Sequence, residues 1–232
     1  SFKARSDENP YADQEFIEEQ KKSLPESIFR SEYLGEFTDA GSDVFSNIDQ
    51  CAVVTSYSNG SRAEKFFCGI DTGLQNDYST LCILNEQGRT VYMEKRNGEN
   101  ISSIANTFIT VLKRFNIVGG YIETNGIGRA MYDLIRPQFR KIKPFTTTQD
   151  SKTIMVRSLI SDMENNIIEI PTIELNPDLH NELSAYTYKM SANGKLSFSH
   201  PNGGKDDLVD SLLMANHSRN AIQTNKLFIG GQ

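Results

Sequence analysis

Three places along the chain carry carboxylates where oxygen ligands can be gathered. Asp71 closes the apolar run Phe67-Cys68-Gly69-Ile70 and is followed by Thr72-Gly73. Glu123 closes Tyr121-Ile122 and is followed by Thr124-Asn125-Gly126. Asp206, Asp207 and Asp210 open an apolar stretch late in the chain. Asp207 and Asp210 are spaced i, i+3 and Asp206 and Asp210 i, i+4, so each pair shares a helix face. Oxygen-only donor sets select hard cations, Mg2+ or Mn2+. Two such ions roughly 4 Å apart clamp the attacking and leaving oxygens of an in-line phosphodiester displacement. Each acid alone has a plainer reading. Acids in a first helical turn complement the helix dipole, and a glutamate in Glu-Thr-Asn-Gly suits a turn. Their joint occurrence, in this order, is what proposes the chemistry.

The elements that must position these acids follow from periodicity and turn residues. Residues 66–70, 78–84 and 90–95 read as strands, with a turn at Gln87-Gly88, and form an antiparallel meander. Ile101, Ile104, Ala105, Phe108, Val111, Leu112 and Phe115 recur at helical spacing behind Asn100, an N-cap. Residues 118–122 form a fourth strand, which a right-handed crossover sets parallel to the first. Asp71 and Glu123 then lie side by side at the C-terminal strand ends, the ligand edge of such sheets. A helix over 127–134 stops before Pro137, and 142–147 is a fifth strand. Asp150 or Ser151 caps a helix to Met163, and 167–170 is extended. A helix after Asn176-Pro177 carries Leu179 and Leu183. Residues 185–190 and 195–200 flank Asn193-Gly194, a hairpin signal. The last helix runs over 206–221. The expected fold is α/β: a five-stranded mixed sheet, three antiparallel strands then parallel ones, flanked by helices, with a hairpin added before the last helix.

Residues 1–60 differ. They are polar, with a partial helical face (Phe16, Ile17, Gln20, Leu24) ended by Pro25, and have too little apolar surface for a core of their own. They read as an arm or linker, and 61–232 as the domain proper. The chain begins Ser-Phe-Lys, and we take it as a piece of a longer protein. No apolar run reaches the roughly 18 residues of a membrane span. Cys51, Cys68 and Cys82 have no metal-ligand spacing and read as core thiols. The net charge of −6 argues against an autonomous tight DNA binder, although aspartates that bind cations contribute to it. The charge is uneven. Arg136, Arg140, Lys141, Lys143, Lys152 and Arg157 face Asp150 alone over that stretch, either a solvated face or a path for phosphates. Arg140, Lys143 and Lys152 are the candidate phosphate contacts, with Lys205 beside the last acids. His200 reads as a surface residue at the hairpin end. His180 and His217 have no partner legible in the sequence.

With these elements on the page, the chain resembles the RNase H-like superfamily and, within it, the nuclease domain of the large terminase subunit of tailed bacteriophages. The resemblance is carried by residues 67–73, 121–126, Thr146-Thr147-Thr148 to Lys152, and Gly204-Lys205-Asp206-Asp207-Leu208-Val209-Asp210-Ser211. Asn9-Pro10-Tyr11, residues 29–37 and Val44-Phe45 resemble the stretch joining terminase ATPase and nuclease domains. The resemblance implies an endonuclease that cuts concatemeric viral double-stranded DNA during packaging. It implies two Mg2+ or Mn2+ ions on Asp71, Glu123 and Asp207, assisted by Asp210 or Asp206; which acid of the last cluster serves varies within the family. It also implies an upstream ATPase motor, the small terminase subunit and the portal as partners, and the host cytoplasm as the place of action, with transient docking at the procapsid. Gly-x-x-x-x-Gly-Lys-Ser/Thr is missing, so no ATP hydrolysis is expected of this chain.

Rival readings are weaker. Asp-Thr-Gly is also the aspartic protease signature, but one copy would require a homodimer. Sugar kinase and actin-like folds need glycine-rich phosphate loops and a second similar domain. A resolvase- or transposase-like nuclease of the same fold is the enzymatic alternative. A non-catalytic DNA- or portal-binding module is the other, and metal-dependent cleavage separates the two.

Overall fold

The computed structural model describes residues 6, 9, 11–23, 29–30, 33–35, 44–73, 78–190, 196–199 and 205–229. The Asn193-Gly194 turn, His200 and much of the stretch 24–43 lie outside the described residues. The arm supplies α1 (Gln14–Ser23), α2 (Ile48–Cys51) and β1 (Ala52–Val54). Then come β2 (Phe66–Asp71), β3 (Ser79–Asn85), β4 (Thr90–Arg96), α3 (Ile101–Leu112), β5 (Ile117–Glu123), α4 (Gly128–Ile135) and β6 (Ile142–Phe145). The remainder is α5 (Gln149–Glu164), β7 (Ile170–Pro171), α6 (Pro177–Ala185), β8 (Thr187–Met190), β9 (Leu196–Ser199) and α7 (Asp207–Ile229).

Five strands form one mixed sheet in the order β4-β3-β2-β5-β6. The pairs β2–β3 and β3–β4 are antiparallel, and β2–β5 and β5–β6 parallel, as the sequence leads one to expect. Asn100 caps α3 by accepting from the Ser103 N–H, and Gly88 turns β3 into β4 at φ +95. The cap of α5 is Thr148, not Asp150 or Ser151. Thr148 and Ser151 form a reciprocal capping box, so Ser151 serves as the third helical residue. β1 and β7 form a two-stranded parallel sheet that periodicity does not reveal, since strands of three and two residues carry no pattern.

β2 is buried along its whole length because helices cover both faces of the sheet. On one side Phe66, Cys68 and Ile70 pack with Leu81, Ile83, Phe108, Leu112 and Ile122, under α3 and α4. On the other, α5, α6 and α7 pack through Met155, Leu159, Leu183, Leu208, Leu212 and Leu213. Ile17, Phe29, Val44, Phe45 and Cys51 of the arm are buried in this second core. The three cysteines are free and buried. Among the described residues no helix is long and apolar enough to cross a membrane.

α7 lies directly on the sheet because glycine lets it. A Cβ on Gly69 would stand 2.0 Å from the Ser211 carbonyl oxygen, and one on Gly119 2.9 Å from Ser218 Oγ. Contact at Gly69 and Gly119 runs α7 across β2 and β5, with its N-terminal end toward Asp71. α5 lies beside it and points the same way. Asp162 Oδ2 accepts from Asn216 (2.6 Å), Asn220 (2.8 Å) and the nearly buried Arg219 (3.2 Å). A buried guanidinium held in this way has its charge matched by a carboxylate and its donors used, which offsets its desolvation.

Candidate active site

Side chains alternate faces along a strand. Gly69 meets α7, so Asp71, two residues on, points to the same side. In the parallel pair Ile70 stands opposite Ile122. The next residues, Asp71 and Glu123, therefore leave neighbouring strands together. Gly128 permits the close start of α4 behind them: a Cβ there would sit 1.9 Å from the Glu123 carbonyl oxygen. Asn125 donates to Glu123 Oε1 at 3.4 Å and to the Thr147 carbonyl at 3.0 Å, drawing together the turns after β5 and β6.

The third group of acids arrives from α7. Asp207 is buried, and Thr80 Oγ1 donates to its carbonyl oxygen at 2.7 Å, anchoring the helix start to β3. Burial pushes the Asp71 carboxyl well above the usual carboxylate range. A hydrogen bond shared with Glu123 and the charges of Asp210, Glu123 and Asp207 push it further. All four acids thus lie within electrostatic reach of one another. Asp210 is raised to about 7: burial dominates, Lys152 pulls it down, and Asp206 and Glu123 push it up.

The acids of the last cluster have different surroundings. Asp206 precedes α7 and accepts the Asp210 N–H at 2.8 Å through its carbonyl oxygen. Its carboxylate receives Lys152 Nζ at 2.7 Å, and the same ammonium reaches Asp210 Oδ2 at 2.9 Å. Lys152, expected as a phosphate contact, is ion-paired with these two acids; burial opposes its charge, and Asp210, Tyr186 and Asp206 outweigh that and favour the charged form. Asp210 sits between the lysine and the strand acids, and its other oxygen, Oδ1, is buried with no hydrogen-bond donor among the described residues.

The phosphate candidates lie elsewhere. Lys143 stands opposite Tyr121 on edge strand β6, two residues back from the carboxylate end, and Arg140 precedes that strand. Both are exposed and line a groove of about 460 Å³ with Tyr132, Asp133, Arg136 and Pro137. Lys205 Nζ lies 4.2 Å from the centre of the Tyr78 ring. His180 Nε2 is 2.8 Å from the Pro171 carbonyl oxygen, and His217 packs on Tyr121 and Phe145, so both histidines are parts of the packing. Sequence reasoning missed Thr80 and Glu182, which touch the start of α7, and Lys95, which pairs with Glu182; their only signal is a tertiary contact.

Among the described residues no three acidic, histidine or cysteine side chains stand together as a closed metal cage. The donor set nonetheless fits a hard dication. It is all oxygen, it leaves Asp210 Oδ1 without a donor, and it sets the buried Asp71 carboxyl against the charges of Asp210, Glu123 and Asp207. A cation would offset that charge. The sign of the pH dependence follows. Raised carboxyls contribute stability that is full below the ordinary carboxylate range and lost as pH rises through the folded values, about 7 for Asp210. Mn2+ or Mg2+ should therefore raise Tm more at about pH 8 than at about pH 5, because ligands must shed protons to bind. Equal shifts at the two pH values in a thermal melt would contradict this account.

Known proteins are similar to this chain in sequence and fold. The profile of the Terminase RNaseH-like domain matches residues 68–219. The large terminase subunit of Thermus virus P23-45 is 25% identical over 211 residues, 87% of this chain and 43% of that protein. The chain thus spans less than half the length of the curated relatives it matches. Among solved structures, the large terminase nuclease of thermophilic phage G20c with bound magnesium superposes with a TM-score of 0.63 at 22% identity. That match covers 75% of this chain and 96% of the other. The HK97 bacteriophage large terminase gives 0.59 at 14% identity, covering 90% of this chain and 50% of that one.

Proposed function

From the premise that this chain belongs to the Terminase RNaseH-like domain family, we propose that it is the nuclease part of a large terminase subunit. On this reading it is an endonuclease that cuts concatemeric viral double-stranded DNA during genome packaging. The observation that carries the reading is the meeting of Asp71 and Glu123, from neighbouring parallel strands, with Asp207 and Asp210 at the start of α7. Asp71, Glu123, Asp207 and Asp210 would hold two Mg2+ or Mn2+ ions. When bound, these supply an activated water and offset charge on the scissile phosphate.

The chain's own residues prepare the site. The charges of Asp210, Glu123 and Asp207 press on the buried Asp71 carboxyl, a repulsion that a bound cation would relieve. Lys152 holds Asp206 and Asp210 and so restrains Asp210. Lys152 engages only Oδ2 of Asp210 and leaves its Oδ1 without a donor, which supports Asp210 beside Asp207 as a ligand. Lys205, beside the cluster, Lys143, on edge strand β6, and Arg140, just before that strand, would contact the DNA backbone on either side of the cut. Such contacts are electrostatic and weaken with salt.

Residues 1–60 would join the domain to an upstream ATPase motor. The small terminase subunit and the portal complete the machine, acting in the host cytoplasm at the procapsid. The test is plasmid cleavage with Mn2+, Mg2+ or EDTA. We expect linearisation with either metal, faster with Mn2+, and none in EDTA. Folded protein that leaves the plasmid intact with every metal, including when joined to its motor, would remove the nuclease reading.

A further inference from the structure

Glu182 lies on α6, an element that supplies none of the cluster acids, yet it is 5% exposed. Its Oε2 accepts from the backbone N–H of Leu208 at 2.8 Å and of Val209 at 3.2 Å. Its Oε1 accepts from Lys95 Nζ at 2.9 Å. Lys95 comes from β4, reaches Asp178 at 3.7 Å, and lies 4.3 Å from the centre of the Tyr78 ring.

The first amides of a helix have no partner within it. A cap ordinarily comes from the residue just before the helix. Here that residue is Asp206, whose carboxylate is engaged by Lys152. The cap of α7 is therefore supplied by a different helix. A third carboxylate beside Asp207 and Asp210 would add repulsion, and the Lys95 ammonium offsets it. Both Glu182 oxygens are occupied by donors, which sets Glu182 apart from the acids left to receive a cation.

The consequence is positional. Leu208 and Val209 stand between Asp207 and Asp210. Holding their amides fixes the height and rotation of the first turn of α7, and with it the direction of both acids. Thr80 grips the same turn from β3 through the Asp207 carbonyl. We propose that Glu182, charge-matched by Lys95, is a positioning residue for the metal-binding acids of α7, acting through the amides of Leu208 and Val209. This rests on the nuclease reading above.

The test compares wild type with Glu182→Ala and Glu182→Gln. Backbone hydrogen exchange at Leu208 and Val209 is measured on metal-free protein, and Mn2+ affinity and plasmid cleavage on the same samples. For Glu182→Ala we expect exchange at these two amides to accelerate at least about tenfold, and Mn2+ affinity and cleavage rate to fall about 10- to 100-fold, as when an outer ligand support is removed. Glu182→Gln keeps an acceptor oxygen at nearly the same place, so it should restore most of the exchange protection and part of the affinity. It also keeps the test available if the alanine variant does not fold. Unchanged exchange in Glu182→Ala, or a glutamine variant as unprotected as alanine, would overturn the capping role. Faster exchange with unaltered Mn2+ affinity and cleavage would overturn the positioning role. A wild type that neither binds Mn2+ nor cuts would sink the nuclease reading, while local exchange would still decide whether Glu182 holds the helix start.

Discussion

Asp71→Asn should lose at least about 100-fold in metal-dependent cleavage, since removing a ligand costs no less than removing its outer support. The same variant should melt at a higher temperature than wild type in EDTA. The two effects have one cause. Asp71 is buried, shares a hydrogen bond with Glu123, and faces the charges of Asp210 and Asp207. Without a cation this repulsion destabilises the folded chain, and a neutral amide of the same size relieves it. Sites that trade stability for chemistry commonly behave this way. Addition of Mn2+ should then reverse the order, raising Tm in the wild type and much less in the variant. A plasmid assay and a melt with and without metal check both halves. Wild-type cleavage by Asp71→Asn would remove Asp71 from the site. A lower Tm in EDTA would mean that its burial is not under strain.

Gly69→Ala should cost about 3 kcal/mol of stability, the upper range for overpacking a filled core. That corresponds to a Tm drop of roughly 6–12 °C for a domain of this size. The added methyl would meet the Ser211 carbonyl oxygen at 2.0 Å, the Ala215 nitrogen at 2.6 Å and the Met214 Cβ at 2.9 Å. None of these is the end of a flexible side chain that can swing aside. The whole of α7 must move off β2, and Asp207 and Asp210 move with it. Cleavage should therefore fall even at temperatures where the variant is folded. Differential scanning calorimetry, with cleavage measured well below the transition, separates the two effects. Wild-type values in both would mean that α7 does not rest on β2 at this glycine.

Local patterns carried most of the architecture. A fully apolar run ending in Asp-Thr-Gly, a second ending in Glu-Thr-Asn-Gly, and a helix capped by Asn100 between them suffice to set two parallel strands side by side with an acid at each end. Strand alternation and helix periodicity are properties of neighbours in the chain, so they survive without the fold. The acids at the start of the last helix were legible for the same reason, as was the turn at Gln87-Gly88.

The different surroundings of those acids were not legible. Asp206, Asp207 and Asp210 are equivalent in the sequence, and only packing turns Asp206 toward Lys152, buries Asp207 under Thr80, and leaves Asp210 between lysine and strand. Lys152 looks like any lysine near a helix start until α5 is laid against α7. Glu182 stands 26 residues from the amide it caps, and Lys95 lies 87 residues from Glu182. Hydrogen bonds of that separation leave no periodic trace. The sequence alone determined which acids stand at strand ends and at a helix start, because residue type and strand-end position are local. The tertiary structure alone decided which partners each carboxylate meets and which residues hold the start of α7 in place. Burial and charge pairing arise only when elements distant in the chain exclude water between them.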